Sequence, residues 1–131
     1  TSDQVFSLMS QFNRESILYK YTRGVHNAAL ATPSRILFSR ADIGRHNAVD
    51  MIGGECLLND IPLPDKLLLT TGRITSELLL KAARMGIPFI ISRNVATYHS
   101  ITLAQQLGIT LIGDVRGNKF FVYTYPGRVK L

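Results

Sequence analysis

The stretch DKLLLTTGRITSELLLKAARMGIPFIISR, residues 65–93, decides the fold. Its two short apolar runs, at 65–72 and 87–93, are typical of strands that are buried on both faces of a sheet. Between them, residues 75–86 read as a helix that ends at Gly86, a residue suited to the left-handed conformation that closes helices. A strand, a helix and a second strand in this order predict two parallel strands joined by a right-handed crossover.

The rest of the chain extends this pattern in both directions. Before residue 65, the sequence predicts an amphipathic helix capped by Ser2 or Asp3, an antiparallel hairpin and a second helix, at residues 3–21, 24–31 with 34–40, and 45–58. After residue 93, it predicts a helix and two strands, at residues 96–108, 109–115 and 119–125. We therefore expect a single α/β domain over residues 1–131, a three-layer α/β/α sandwich with a mixed sheet.

Composition excludes several classes of protein. The 131 residues are 46% hydrophobic and 18% charged, as in ordinary soluble domains, and no apolar run approaches the roughly 20 residues of a membrane span. A single cysteine, Cys56, excludes an internal disulfide, so we expect a buried structural thiol and a reducing, cytoplasmic compartment. The three histidines form neither a C-x-x-C nor an H-E-x-x-H pattern, and we expect no metal site.

Arginine recurs in the three segments that lead from a predicted strand into a helix. These segments are SRADIGRHN, TTGRITSE and SRNVATYHS, and they contain Arg40, Arg45, Arg73 and Arg93. The carboxyl ends of strands that run in one direction meet at one edge of a sheet, where α/β proteins bind ligands. Arginine and the helix N-termini both favour anions, and the net charge of +6 agrees, so we expect an anionic ligand that contains phosphate.

Structural roles compete with this interpretation. Gly44 and Gly72 are ordinary turn residues, and Thr75 or Ser76 suits a helix N-cap without any ligand. His46 suits a helix cap or a hydrogen-bonded core position. Arg45 is either a ligand group that Asp42 or Asp50 holds in place, or a structural clamp that joins the helix to the sheet. The segment 113–119 is either a plain hairpin turn or a basic turn over a phosphate or a base.

The sequence blocks GVHNAAL, ADIGRHNAVD, TGRIT, GIPFIISR, GITLIGDVRG and VYTYPGR together resemble the FdhD family of formate dehydrogenase accessory sulfurtransferases. They match that family's C-terminal domain in order and spacing. The resemblance implies a cytidine deaminase-like fold without zinc, since GRHN and TGRITSE stand where deaminases carry their ligands. It also implies a cofactor-binding stretch in the last hairpin, namely Asp114, Val115, Arg116, Gly117, Asn118 and Lys119. Arg45, His46, Arg73 and Arg93 complete the expected site.

The activity that the resemblance implies is sulfur transfer. The family takes persulfide sulfur from a cysteine desulfurase on a C-x-x-C loop and passes it to bis-molybdopterin guanine dinucleotide, the molybdenum cofactor of formate dehydrogenase. Residues 1–131 contain no such cysteine pair, so we expect no catalytic residue in this chain and a C-x-x-C before Thr1. GDP is the expected partial mimic of the cofactor, and a homodimer is the implied assembly.

Three other functions compete with this one. The first is a zinc-free, deaminase-like module that binds nucleotides in general. A catalytic deaminase-like hydrolase is disfavoured because zinc ligands are missing. A nucleic-acid-binding module is disfavoured because the chain has no run of Lys and Arg and no aromatic RNA-binding signature.

Overall fold

The structure is a computed structural model that describes residues 2–15, 26–42, 49–54, 65–116 and 119–129. Its centre is a six-stranded sheet with the order β2-β1-β3-β4-β5-β6. The three consecutive strands β3, β4 and β5 are parallel, and the other pairs are antiparallel. The strands are β1 (His26–Ala31), β2 (Ile36–Asp42), β3 (Leu67–Thr70), β4 (Phe89–Ser92), β5 (Thr110–Arg116) and β6 (Lys119–Val122).

Four helical segments and a short C-terminal turn accompany the sheet. They are α1 (Ser2–Glu15), the helical residues 49–54 (α2), α3 (Ser76–Met85), α4 (Tyr98–Leu107) and a 3-10 turn (Pro126–Arg128). The predicted order of helices and strands is confirmed. The predicted helix ends at 16–21, 45–48 and 55–58 lie outside the described residues.

The helices form two layers, one on each face of the sheet. On one face, Val5, Leu8, Met9 and Phe12 of α1 pack against alternate strand residues such as Leu69. On the other face, α2, α3 and α4 cover the remaining strand residues, with Leu78 and Leu79 of α3 fully buried against Leu68 and Ile90. Burial on both faces explains why β3 and β4 are continuous apolar runs in the sequence. The α/β/α sandwich is confirmed.

Side chains of residues 124–128 form hydrogen bonds with the main chain near the end of α4 and the start of β5. The buried Thr124 hydroxyl accepts from the Leu111 N–H at 2.8 Å and donates to the Ile109 carbonyl at 2.7 Å. The Tyr125 hydroxyl donates to the Gln105 carbonyl. Arg128 donates to the Gly108 carbonyl at 2.6 Å, so the end of α4 has partners for carbonyls that a helix leaves unsatisfied.

We expect Thr124→Val to lower the free energy of unfolding by about 2–3 kcal/mol, because the substitution preserves shape but leaves a buried N–H and a buried C=O without their partner. Urea denaturation measures this change. Thr102→Val is the matched control, since the Thr102 hydroxyl is exposed on α4 and donates only a long 3.4 Å bond to the Tyr98 carbonyl. A change within about 0.5 kcal/mol is expected for the control. Equal effects of the two substitutions would contradict this role of Thr124.

Candidate functional site at the carboxyl edge of the sheet

The strand register places the predicted segments along one edge of the sheet. Thr70 at the end of β3 pairs with Ser92 at the end of β4 and with Ala28 near the start of the antiparallel β1. The end of β2 lies at the same edge, because Asp42 pairs with His26. The hairpin between β5 and β6 also starts there, since β5 runs parallel to β4. The main chain therefore converges as the sequence predicted.

Hydrogen bonds join the loop after β3 to the loop after β4. The Ile74 N–H donates to the Val95 carbonyl at 3.1 Å, and the Thr97 N–H donates to the Ile74 carbonyl at 3.0 Å. The buried Ser92 hydroxyl donates to the Gly72 carbonyl at 2.6 Å. These bonds extend the parallel pairing of β3 and β4 beyond the strands and hold the two loops side by side.

The loop after β4 is also joined to β5. The Asp114 N–H donates to the Asn94 carbonyl at 2.9 Å. The approach is close at Gly113, where a Cβ atom would lie 2.9 Å from the Asn94 oxygen and 2.7 Å from the Tyr123 ring. Asp114 has a φ of 52°, and the β5–β6 register shifts by one residue between Gly113 and Arg116, as in a β-bulge. Two of the predicted cofactor-binding segments are therefore in direct contact.

Several polar side chains at this edge have structural roles. Thr75 caps α3 by accepting from the Leu78 N–H, and Thr97 caps α4 by accepting from the Ser100 N–H. The buried Ser100 hydroxyl donates to the Ile74 carbonyl at 3.0 Å. For Thr75, the structural interpretation of the sequence is thus confirmed. The hydroxyls of these loops hold the main chain in place.

Cationic side chains come from three of the converging segments. Arg73 follows β3 and is exposed, Arg93 follows β4 and is half-buried, and Lys119 begins β6 and is exposed. Burial lowers the pKa of the Arg93 guanidinium, but an arginine stays protonated at neutral pH. A partly desolvated cation interacts more strongly with an anion than a fully hydrated one does. The described part of the edge therefore carries cationic side chains from three separate segments.

The remaining predicted site residues have different outcomes. Arg45, His46, Gly117 and Asn118 lie outside the described residues, as does the side chain of Arg116. The Val115 side chain is 6% exposed and packs in the core that contains α1, so its side chain serves packing at this edge.

The two acidic residues proposed to hold Arg45 can be described only in part. Asp50 pairs with Lys81 of α3 at 2.8 Å, which ties α2 to α3. The Asp42 side chain is outside the described part of the structure, as is Cys56.

Sequence reasoning missed Asn94 and Gly113, which connect the loop after β4 to the hairpin. Gly113 carries a usable signal, because a glycine inside an apolar strand pattern often marks a bulge or a close main-chain approach. The contribution of Asn94 is its main-chain carbonyl, which no side-chain pattern reveals.

A cavity of about 130 Å³ lies elsewhere, between α1 and the sheet. Its lining includes Leu67 and Phe89, which begin β3 and β4, so it opens away from the carboxyl edge. Within the described ranges, no group of three His, Cys, Asp or Glu side chains is placed to hold a metal ion. None of the helices described is long and apolar enough to cross a membrane.

Comparison with known proteins assigns the chain to a family. The FdhD/NarQ family profile matches residues 1–130. The chain belongs to the FdhD/NarQ family. The fold agrees, because the chain superposes with a TM-score of 0.88 on the crystal structure of a Desulfotalea psychrophila protein assigned as a formate dehydrogenase accessory protein. The two are 35% identical, and the match covers 97% of this chain and 55% of that one.

Curated FdhD/NarQ relatives carry the name sulfur carrier protein FdhD. The protein from Halalkalibacterium halodurans is 47% identical over 129 residues, which cover 98% of this chain and 48% of the relative. The protein from Bacillus subtilis is 47% identical over 124 residues, which cover 95% of this chain and 47% of the relative. The chain thus spans about half the length of these relatives.

We expect Gly113→Ala to destabilise the protein by roughly 1–3 kcal/mol, because its Cβ would overlap the Asn94 carbonyl and the Tyr123 ring. Thermal denaturation measures the change. Gly54→Ala is the control, because Gly54 is helical and a Cβ there meets nothing within 4 Å. The control should be neutral or slightly stabilising. A Gly113→Ala protein as stable as wild type would show that the loop is not held against β5.

Proposed function

We propose that this chain is the cofactor-holding part of a sulfurtransferase that serves formate dehydrogenase. The proposed ligand is bis-molybdopterin guanine dinucleotide, which contains guanine, pyrophosphate and pterin groups. The observation that carries the proposal is the carboxyl edge, where hydrogen-bonded loops present Arg73, Arg93 and Lys119 from three separate segments. The names of the family relatives support a role in sulfur transfer and in formate dehydrogenase maturation.

In this proposal the edge residues bind and orient the nucleotide part of the cofactor. Arg93, half-buried after β4, would donate to a phosphate, and Arg73 and Lys119 would add charge from either side. Gly117 and Asn118, which follow Arg116 in the sequence, are also proposed to contact the ligand, and the N–H bond from Asp114 to Asn94 would hold β5 beside the loop that carries Arg93. When bound, the cofactor supplies the molybdenum centre that receives sulfur.

The sulfur itself requires a cysteine persulfide. The single cysteine of these 131 residues, Cys56, is not assigned this task, because the family's carrier is a C-x-x-C pair. We further propose that a cysteine desulfurase supplies the persulfide, that formate dehydrogenase receives the cofactor, and that the protein works in the cytoplasm as a homodimer. Arg45 and His46 are proposed to contact the ligand from the segment after β2.

We expect GDP to bind the protein with an affinity that falls as salt concentration rises, because charge-assisted contacts are screened. Arg93→Gln should weaken binding by about 1.5–3 kcal/mol, or roughly 10- to 150-fold, and Arg73→Gln by less, because Arg73 is exposed. Isothermal titration calorimetry at two salt concentrations gives these values.

Arg84→Gln is the matched control for charge. Arg84 lies in the last turn of α3, at the opposite end of that helix from the carboxyl edge, and its loss changes the net charge equally. It should leave GDP affinity within about twofold, the scale of a screened surface charge. Equal weakening by all three substitutions would show that net charge alone attracts the nucleotide. No binding at millimolar GDP by folded wild-type protein would overturn the proposal.

A zinc-dependent deaminase remains the competing enzyme class, and its chemistry is easy to test. We expect the purified protein to contain no stoichiometric zinc and to deaminate neither cytidine nor adenosine, because GRHN and TGRITSE provide no thiolate ligands. Elemental analysis and an ultraviolet deamination assay measure both properties. One tightly held zinc ion per chain would contradict the assignment.

A further inference from the structure

We propose that Phe121 is the platform on which a planar heteroaromatic ring of the ligand stacks. This inference rests on the proposed function and assigns one residue to recognition of the ring, while the cations recognise phosphate. The ring chemistry is that of a purine or a pterin, both of which present a flat π surface.

Phe121 is the exposed residue of the apolar run Phe120–Val122 on β6. It is 58% exposed on β6, whereas its neighbours Phe120 and Val122 pack in the core beside α1. A single exposed apolar side chain is ordinary on a protein surface and assigns nothing by itself. The surroundings of this ring carry the inference.

The ring of Phe121 stacks on the ring of Tyr123. Their centroids are 6.3 Å apart and their planes differ by 20°. Tyr123 packs against the core beneath α3 and α4, so it fixes the orientation of the pair. Phe121 is the more exposed member, and a third flat ring placed on it would continue the stack in the offset arrangement that aromatic groups prefer.

The residue opposite Phe121 on β5 has no side chain. Phe121 pairs with Gly113, so β5 places no side chain beside the ring at this position. The next residue, Asp114, donates its N–H to the Asn94 carbonyl, which puts the loop that carries Arg93 next to the Phe121–Tyr123 pair. Lys119 precedes Phe121 by two residues on β6, about 7 Å along the strand. A ring on Phe121 would therefore lie between two of the cationic segments.

Removing an aromatic side chain that stacks on a base typically weakens affinity by roughly 5- to 150-fold. The test compares Phe121→Leu, which keeps an apolar side chain, with Phe121→Tyr, which keeps the π surface. Calorimetry is done with GDP, with neopterin as a soluble pterin, and with inorganic pyrophosphate. The control is Leu107→Ala, because the Leu107 side chain is also partly exposed (43%) but lies at the end of α4.

We expect Phe121→Leu to weaken GDP or neopterin binding by roughly 5- to 150-fold and to leave pyrophosphate binding unchanged. Phe121→Tyr and Leu107→Ala should bind like wild type. The ligand that loses affinity identifies the ring, guanine or pterin. On titration with that ligand, the nuclear magnetic resonance signals of the Phe121 ring protons should move upfield, because a stacked ring shields them.

Each contrary result has a distinct meaning. If Phe121→Leu binds both GDP and neopterin as tightly as wild type does, the stacking proposal is overturned and the proposed function stands. Equal loss of GDP and pyrophosphate also overturns it, because the residue then acts on the phosphate site or on folding. Ring-proton shifts that follow protein concentration instead of ligand assign Phe121 to contact with a second copy. If folded wild-type protein binds none of the three ligands, the proposed function is overturned, and the stacking proposal with it.

Discussion

The hydrogen bond from the Asp114 N–H to the Asn94 carbonyl, 2.9 Å long, is the contact on which the edge depends. It joins the β4–α4 loop to the final hairpin, and it forms only because Gly113 leaves room for the loop. Bonds through Ile74, Val95 and Thr97 then join that loop to the one before it. The cations of three segments are therefore attached to one hydrogen-bonded frame, which reduces the entropy lost when they close on a ligand.

Polar residues at this edge divide into those that build the frame and those that remain at its surface. The hydroxyls of Thr75, Thr97 and Ser100 satisfy helix N-termini and loop carbonyls, and the Ser92 hydroxyl links the two loops. A count of polar residues in the sequence cannot separate these two groups, because serine and threonine suit both roles. The cationic side chains of Arg73, Arg93 and Lys119 lie exposed or half-buried at the surface of this frame.

The sequence predicted the fold well because its strongest signals are local. Leu67 to Leu69 and Phe89 to Ile91 are short apolar runs, and glycine ends both α3 and α4 in the left-handed conformation. The site was predictable only at the level of segments, since parallel strands must end at one edge. The roles of Gly113 and of the Phe121–Tyr123 pair were not predicted, because these roles depend on which strands are neighbours in the sheet. Val115 was placed with the ligand groups, but the bulge in β5 directs its side chain into the core beside α1.

The arrangement of charge also limits what this edge can recognise. An exposed cation such as Arg73 gains little from a single anion in water, because solvent and salt screen the pair. Arg93 is half-buried, and burial lowers its pKa, which shows that the folded chain has already removed part of its hydration. Under the proposed function, a ligand with several linked phosphates would engage Arg93 and the flanking cations together, whereas a monovalent anion would engage one of them. The proposed function therefore calls for a polyanion, and the proposed stacking on the aromatic pair of β6 adds a requirement that inorganic phosphates do not meet.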